Sequence, residues 1–215
     1  MPTTSPRRSP VLARRIKNRI RVGPEDNGQR MSLAMFARAE PTPGYVYELA
    51  KGVIEVSDIP GITHGRVVHG VNRALGAYDV SHPGVIQYIG GGADAKIEMW
   101  GSDSERHPDI SVYLSPNPDG LEQPWDRWVP DIVVEVVSAS SAKRDYIAKR
   151  RDYLAAGVRE YWILDPIKRR GLILSRRADD WLETELGPRG KWRTRLLPGF
   201  VLDLAQLIGP ARRGQ

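Results

Sequence analysis

Cysteine is absent from the 215 residues, and there are only two phenylalanines and four histidines. Without cysteine there is no disulfide and no thiolate metal centre, which fits a reducing compartment. His64, His69, His82 and His107 fall at no recognised zinc spacing, so a catalytic metal here would be a hard cation held by oxygens. No apolar run approaches the roughly 18 residues that a membrane helix needs, and the N-terminal stretch lacks the apolar segment of a secretory signal. The expectation is a cytoplasmic protein with no membrane partner.

Charge is plentiful but unevenly placed. Net charge is +6, yet residues 1–30 hold eight basic side chains against Glu25 and Asp26. The remaining 24 basic and 24 acidic groups balance, so the body is formally neutral. Nucleic-acid binding by the body therefore calls for local clustering rather than bulk charge. Two parts are expected: a basic, disordered arm over 1–30 and one domain over 31–215. Met31 could itself start the protein, and a phosphate-binding tail is the sharper reading of the arm.

The domain is organised around Pro130–Ser138. Five of its nine residues are Val or Ile, which predicts a strand buried on both faces, with a lone carboxylate, Glu135, in its middle. A buried carboxylate is kept by a metal, a basic partner or a proton. Ser138–Ser141 offers hydroxyl caps, a helix is predicted over 142–156, Gly157 ends it, and Glu160–Pro166 reads as the next strand. Strand, helix, strand is the βαβ arrangement.

Upstream, 45–50 and 53–56 read as strands turned at Lys51-Gly52. Thr63 is the expected cap of a helix over 64–78, carrying Val67, Val71, Leu75 and Tyr78 at helical spacing. Strands are predicted at 85–89, 95–99 and 107–114, with Gly90-Gly91-Gly92 as a turn or bulge and a polar loop after Gly101. Further strands are predicted near 172–175, 181–185 and 192–196, before a closing segment at 197–204.

Neighbouring strands lie about 4.8 Å apart, so Asp109 and Glu135 on paired strands could grip one cation. Asp131 is excluded from that pair, because four residues along a strand is roughly 13 Å. From spacing alone, Lys149 is an ordinary i, i+4 partner of Asp145; from the helix it could also reach the site and position an attacking water. Glu48 divides evenly between site and solvated hairpin, and Glu55 is expected at the surface. His64 reads as a helix-start hydrogen-bonding residue, and Tyr153, Tyr161 and Trp162 as core packing.

Several segments together resemble a known family: Tyr47-Glu48-Leu49 with Gly52 and Ile54; His64; Pro108-Asp109; Val134–Ser138; Asp145, Lys149 and Tyr153; Gly157–Pro166; and Leu197–Phe200. They span residues 45–204 and are similar to the Uma-two family of restriction endonucleases, within the PD-(D/E)XK nuclease superfamily. The resemblance implies an α/β fold: a restriction-endonuclease-like mixed central β-sheet flanked by α-helices, with an N-terminal β-hairpin. It also implies Asp109 and Glu135 as ligands of Mg²⁺ or Mn²⁺, the Val136 carbonyl as a further ligand, Glu48 as an additional acid, DNA as substrate and a homodimer. One position departs from the superfamily: Val137 stands where the Glu-x-Lys element has lysine. The family's lysine on the following helix matches Lys149. Two alternatives stay open: a non-catalytic nucleic-acid- or partner-binding module that keeps the fold, and RNA as substrate.

Overall fold

Ile132–Val136 forms the strand that its composition calls for, with every residue buried. The computed structural model describes residues 20–118, 120 and 127–208. Along the chain the elements are β1 (Arg21–Val22), α1 (Leu33–Phe36), β2 (Glu40–Pro41), β3 (Tyr45–Ala50), β4 (Val53–Asp58), α2 (Ile62–Ser81), β5 (Tyr88–Gly90), β6 (Ile97–Met99), β7 (Ser104–Arg106), β8 (Ile110–Tyr113), β9 (Ile132–Val136), a π-turn (Arg144–Ala148) leading into α3 (Lys149–Ala156), β10 (Glu160–Asp165), β11 (Arg170–Arg177), β12 (Asp180–Leu186), β13 (Lys191–Trp192), β14 (Leu202–Asp203) and α4 (Leu204–Ile208).

The central sheet has the order β12-β11-β10-β9-β8-β5. β9 and β10 run parallel, and the other pairs are antiparallel, so the sheet is mixed as expected. Alternation along β9 sends Ile132, Val134 and Val136 to one face, where Val67, Val71 and Leu75 of α2 and Leu204 of α4 cover them. Val133 and Val137 face the other way, onto Tyr153, Tyr161 and Ile163. Each such side chain contributes roughly 1.5–3 kcal/mol by leaving water. Glu135 belongs to this second face, the one that α3 covers.

The hairpin β3–β4 turns through Lys51 (φ 51°) and Gly52 (φ 74°), both left-handed, as a two-residue turn of type I′ requires. It is half of a second, antiparallel sheet of order β4-β3-β7-β6. β7 overturns the expected polar loop. Ser104, Glu105 and Arg106 are all buried, and hydropathy misses such a strand because its burial is compensated by ion pairs rather than by apolar surface.

Two boundaries also move. Helix α2 starts after Gly61, whose extended backbone (ψ 177°) occupies the cap without any side-chain bond, so Thr63 lies inside the helix. Of the expected arm, residues 1–19 lie outside the described residues, but residues 20–30 sit on the body. Val22 is buried with Leu33, Phe36 and Leu49, and Arg30 bridges to Val53. The region around 142–156 is helical as expected, with the π-turn inserted at 144–148, and Gly157 (φ 102°) closes it by donating its N–H to Leu154. Among the described residues no helix is long and apolar enough to cross a membrane.

Candidate active site

The register between β8 and β9 pairs Ile110 with Val134, so Asp109, just outside β8, comes level with Glu135. A close approach permits this. A Cβ on Gly91 would stand 2.1 Å from the Asp109 carbonyl oxygen, so only glycine lets the 90–92 segment lie against that backbone. Asp109 Oδ2 accepts the Val136 N–H at 2.7 Å. It also accepts His64 Nε2–H at 2.9 Å, which ties the first turn of α2 to the end of the central sheet.

Glu135 is 3% exposed. Its Oε1 accepts from Lys149 Nζ at 2.8 Å and from the Tyr153 hydroxyl at 2.5 Å. Lys149 also reaches Glu48 Oε1 at 3.1 Å, while Asp145 Oδ1 stands farther off at 3.9 Å. The i, i+4 pairing read from spacing is therefore the weakest of its three contacts, and the lysine points into the protein. The wider π-turn comes just before Lys149, whose backbone N–H bonds the Arg144 carbonyl.

Glu48 is also buried. Its Oε1 accepts the His107 backbone N–H at 3.0 Å, and its Oε2 faces Arg106 Nη1 at 3.4 Å. Arg106, 1% exposed, bonds Glu55 Oε2 at 2.5 Å and Asp152 Oδ2 at 2.8 and 2.9 Å. Glu55, expected at the surface, is drawn in by this buried guanidinium.

These partners set the charge states. Burial raises the Glu48 carboxyl, but Lys149, then Arg106 and the His107 N–H, overcome it and hold the group at about 2. Burial pushes Glu135 well above the ordinary carboxylate range; Lys149 opposes this, and Asp109, Asp145 and Glu48 add to it. The difference between the two follows from their donors: besides the shared ammonium, Glu48 has a guanidinium and a backbone N–H, and Glu135, among the described residues, has only Tyr153. Burial also raises Asp145, against Lys149 and the Ser141 hydroxyl. For Lys149, burial works to lower the value, but Glu135 and Glu48 raise it above the usual lysine range, so the ammonium stays charged.

Glu48, Asp109, Val136, Glu135, Asp145 and Lys149 all line one cleft of about 180 Å³, together with Ser138, Ser140, Ser141 and Arg144. A separate, more apolar hollow of about 320 Å³ lies between Phe36, Tyr45 and Tyr47 and shares Gly92 and His107 with it, but contains none of Asp109, Glu135 and Lys149. Asp131 lies elsewhere, accepting Leu114 N–H and pairing with Arg159.

In donor chemistry and charge, the cleft suits a hard divalent cation: five carboxylates (Glu48, Asp58, Asp109, Glu135 and Asp145) line it against the Lys149 ammonium and the Arg144 guanidinium, and the buried Asp145 Oδ1 has no hydrogen-bond partner among the described residues. Among the described residues, however, no three acid or histidine side chains already stand in a metal-binding group. Sequence reasoning missed Arg106 and Asp152, whose pairing depends on tertiary contact, and took Tyr153 and Tyr161 as packing only. Tyr153 bonds Glu135, and Tyr161 donates to the Asp145 carbonyl at 2.8 Å. Tyrosine at the i+4 position after Lys149 was the available signal.

Comparison with known proteins agrees with this architecture. A crystal structure of a "putative nuclease belonging to DUF820" from Anabaena variabilis superposes with a TM-score of 0.68 at 15% identity, over 83% of this chain and 97% of that one. No curated protein matches. Residues 33–205 match the family described as "Putative restriction endonuclease", and the chain belongs to that family, Uma2.

Proposed function

We propose that this chain is a metal-dependent endonuclease that hydrolyses phosphodiester bonds in DNA. The observation that carries the reading is the meeting of Asp109, Glu135 and Lys149 in one cleft, with the lysine ammonium 2.8 Å from the Glu135 carboxylate. Asp109 and Glu135 would hold Mg²⁺ or Mn²⁺, together with the Val136 carbonyl and Glu48. A bound cation of this kind supplies charge neutralisation at the phosphate and a more acidic water.

Lys149 has three N–H donors, and Glu135 and Glu48 take two of them. The third is available to an attacking water or to a phosphate oxygen. Because Lys149 stays charged, its part is to orient and neutralise rather than to remove a proton. The Tyr153 hydroxyl donates to the same Glu135 oxygen as Lys149 and so helps to fix that carboxylate. Val137 cannot take the lysine role from the strand, since it is buried in the apolar cluster with Tyr153 and Tyr161.

The second reading is a nucleic-acid-binding module without catalysis. It is favoured by the internal pairing of Lys149 with Glu135 and Glu48, which neutralises part of the cleft without a metal. The deciding experiment is cleavage of supercoiled plasmid, single-stranded DNA and RNA with Mg²⁺ or Mn²⁺, comparing the wild type with Glu135→Ala. Metal-dependent cutting abolished by a folded Glu135→Ala supports the enzyme and its site. Binding without cutting on any substrate supports the module.

A further inference from the structure

Four side chains lining the cleft can carry positive charge, and three are engaged. Lys149 is held by Glu135 and Glu48, His64 by Asp109, and His107 by Glu105. Arg144 is the exception. Among the described residues its guanidinium has neither an ion pair nor a hydrogen bond, although Asp145 is its chain neighbour and the cleft is rich in acids. Its Nε is fully buried and without an acceptor. A buried donor of a charged group is normally satisfied, and here no described residue satisfies it.

We infer that Arg144 binds a backbone phosphate of the nucleic-acid substrate, next to the phosphate that is cut. A guanidinium presents a planar fork of donors that matches two phosphate oxygens at once. An arginine kept out of internal salt bridges is available to do so. Placement supports the same class of ligand. Arg144 opens the π-turn and its carbonyl accepts the Lys149 N–H, so the two residues stand one turn apart on the cleft wall and a strand threading the cleft would meet both cations in succession. The hydroxyls of Ser138 and Ser140, 3.3 Å apart on the same wall, add neutral donors beside it.

This inference rests on the nuclease reading, and one experiment separates them. Binding of a fluorescein-labelled DNA duplex is measured by anisotropy over a series of KCl concentrations in Ca²⁺, for the wild type, Arg144→Met, Arg144→Lys and Glu135→Ala. Thermal melting and plasmid cleavage are followed in parallel. Loss of one phosphate contact should make the slope of log affinity against log salt shallower by about 0.9 in Arg144→Met, whatever the duplex sequence. Lysine should restore the slope but not the full affinity. The melting temperature of Arg144→Met should stay level or rise, since an unsatisfied buried donor is removed. Wild-type affinity and slope in Arg144→Met overturn the inference alone, as does a fall in melting temperature that accounts for the lost binding. Cutting that survives Glu135→Ala overturns the proposed catalytic site and leaves Arg144 to be judged on its slope. Failure of the wild type to bind DNA overturns both.

Discussion

Lys149 Nζ donates to Glu135 Oε1 at 2.8 Å, across the gap between α3 and β9, and stands 3.9 Å from Asp145 on its own stretch of helix. A buried ammonium thus serves the strand rather than the helix. It also links β3 through Glu48, so one charge ties together two sheets and the crossover helix.

Removing that charge leaves two buried carboxylates without it. Lys149→Met should destabilise the protein by about 3–5 kcal/mol, and the double variant with Glu135→Gln should recover part of the loss. Urea denaturation of the two single variants and the double variant measures the coupling; strictly additive losses would show that the pair does not interact.

Tyr153→Phe removes a hydrogen bond to the ionised form of Glu135. That carboxyl is already raised by burial, and losing the donor raises it further. If Glu135 must be ionised for cleavage, the acid limb of the pH–rate profile should move to higher pH while the alkaline limb stays in place. An unmoved acid limb would show that this ionisation does not limit the rate.

Glu48 is held at about 2, against an ordinary 4.5. Its folded value is depressed, so its stabilisation is present above pH 4.5 and is lost as pH falls toward 2. The contribution is at most about 3 kcal/mol, since Lys149 is shared with Glu135. Glu135 is raised and has the opposite sign, with stability favoured in acid and lost as pH rises through its folded value. Glu48→Gln should therefore flatten the acid side of a stability–pH curve measured by urea denaturation.

Gly91→Ala should disorganise the cleft. The new Cβ would meet the Asp109 carbonyl oxygen at 2.1 Å, so the 90–92 segment or Asp109 must move. Cleavage should be lost with the fold kept, visible as an unchanged far-UV dichroism spectrum and a lower melting temperature. Wild-type activity in this variant would show that the register of Asp109 against Glu135 is not needed.

Much of the frame could be read from local pattern. The Val/Ile run of β9, the Gly157 stop and the turn at Lys51-Gly52 each carry their signal within a few residues, and each is present as expected. Asp109 and Glu135 could be paired because antiparallel neighbours align by register. Strand β7 could not be read this way. Ser-Glu-Arg looks like a solvated loop, and only its partners, Glu48, Glu55, Asp152 and Lys96, make it an interior strand. The fate of Glu55 followed from the same hidden arginine.

The sequence by itself determined the βαβ core and the isolation of Glu135 within it, because alternation and helical periodicity are properties of neighbours along the chain. Tertiary structure alone decided that Lys149 turns to Glu135 and Glu48, that His64 meets Asp109, and that the buried Nε of Arg144 finds no acceptor among the described residues. Charged side chains choose partners by distance in space and by the loss of water around them. Neither is encoded in the spacing of residues until the sheets and the crossover helix have packed.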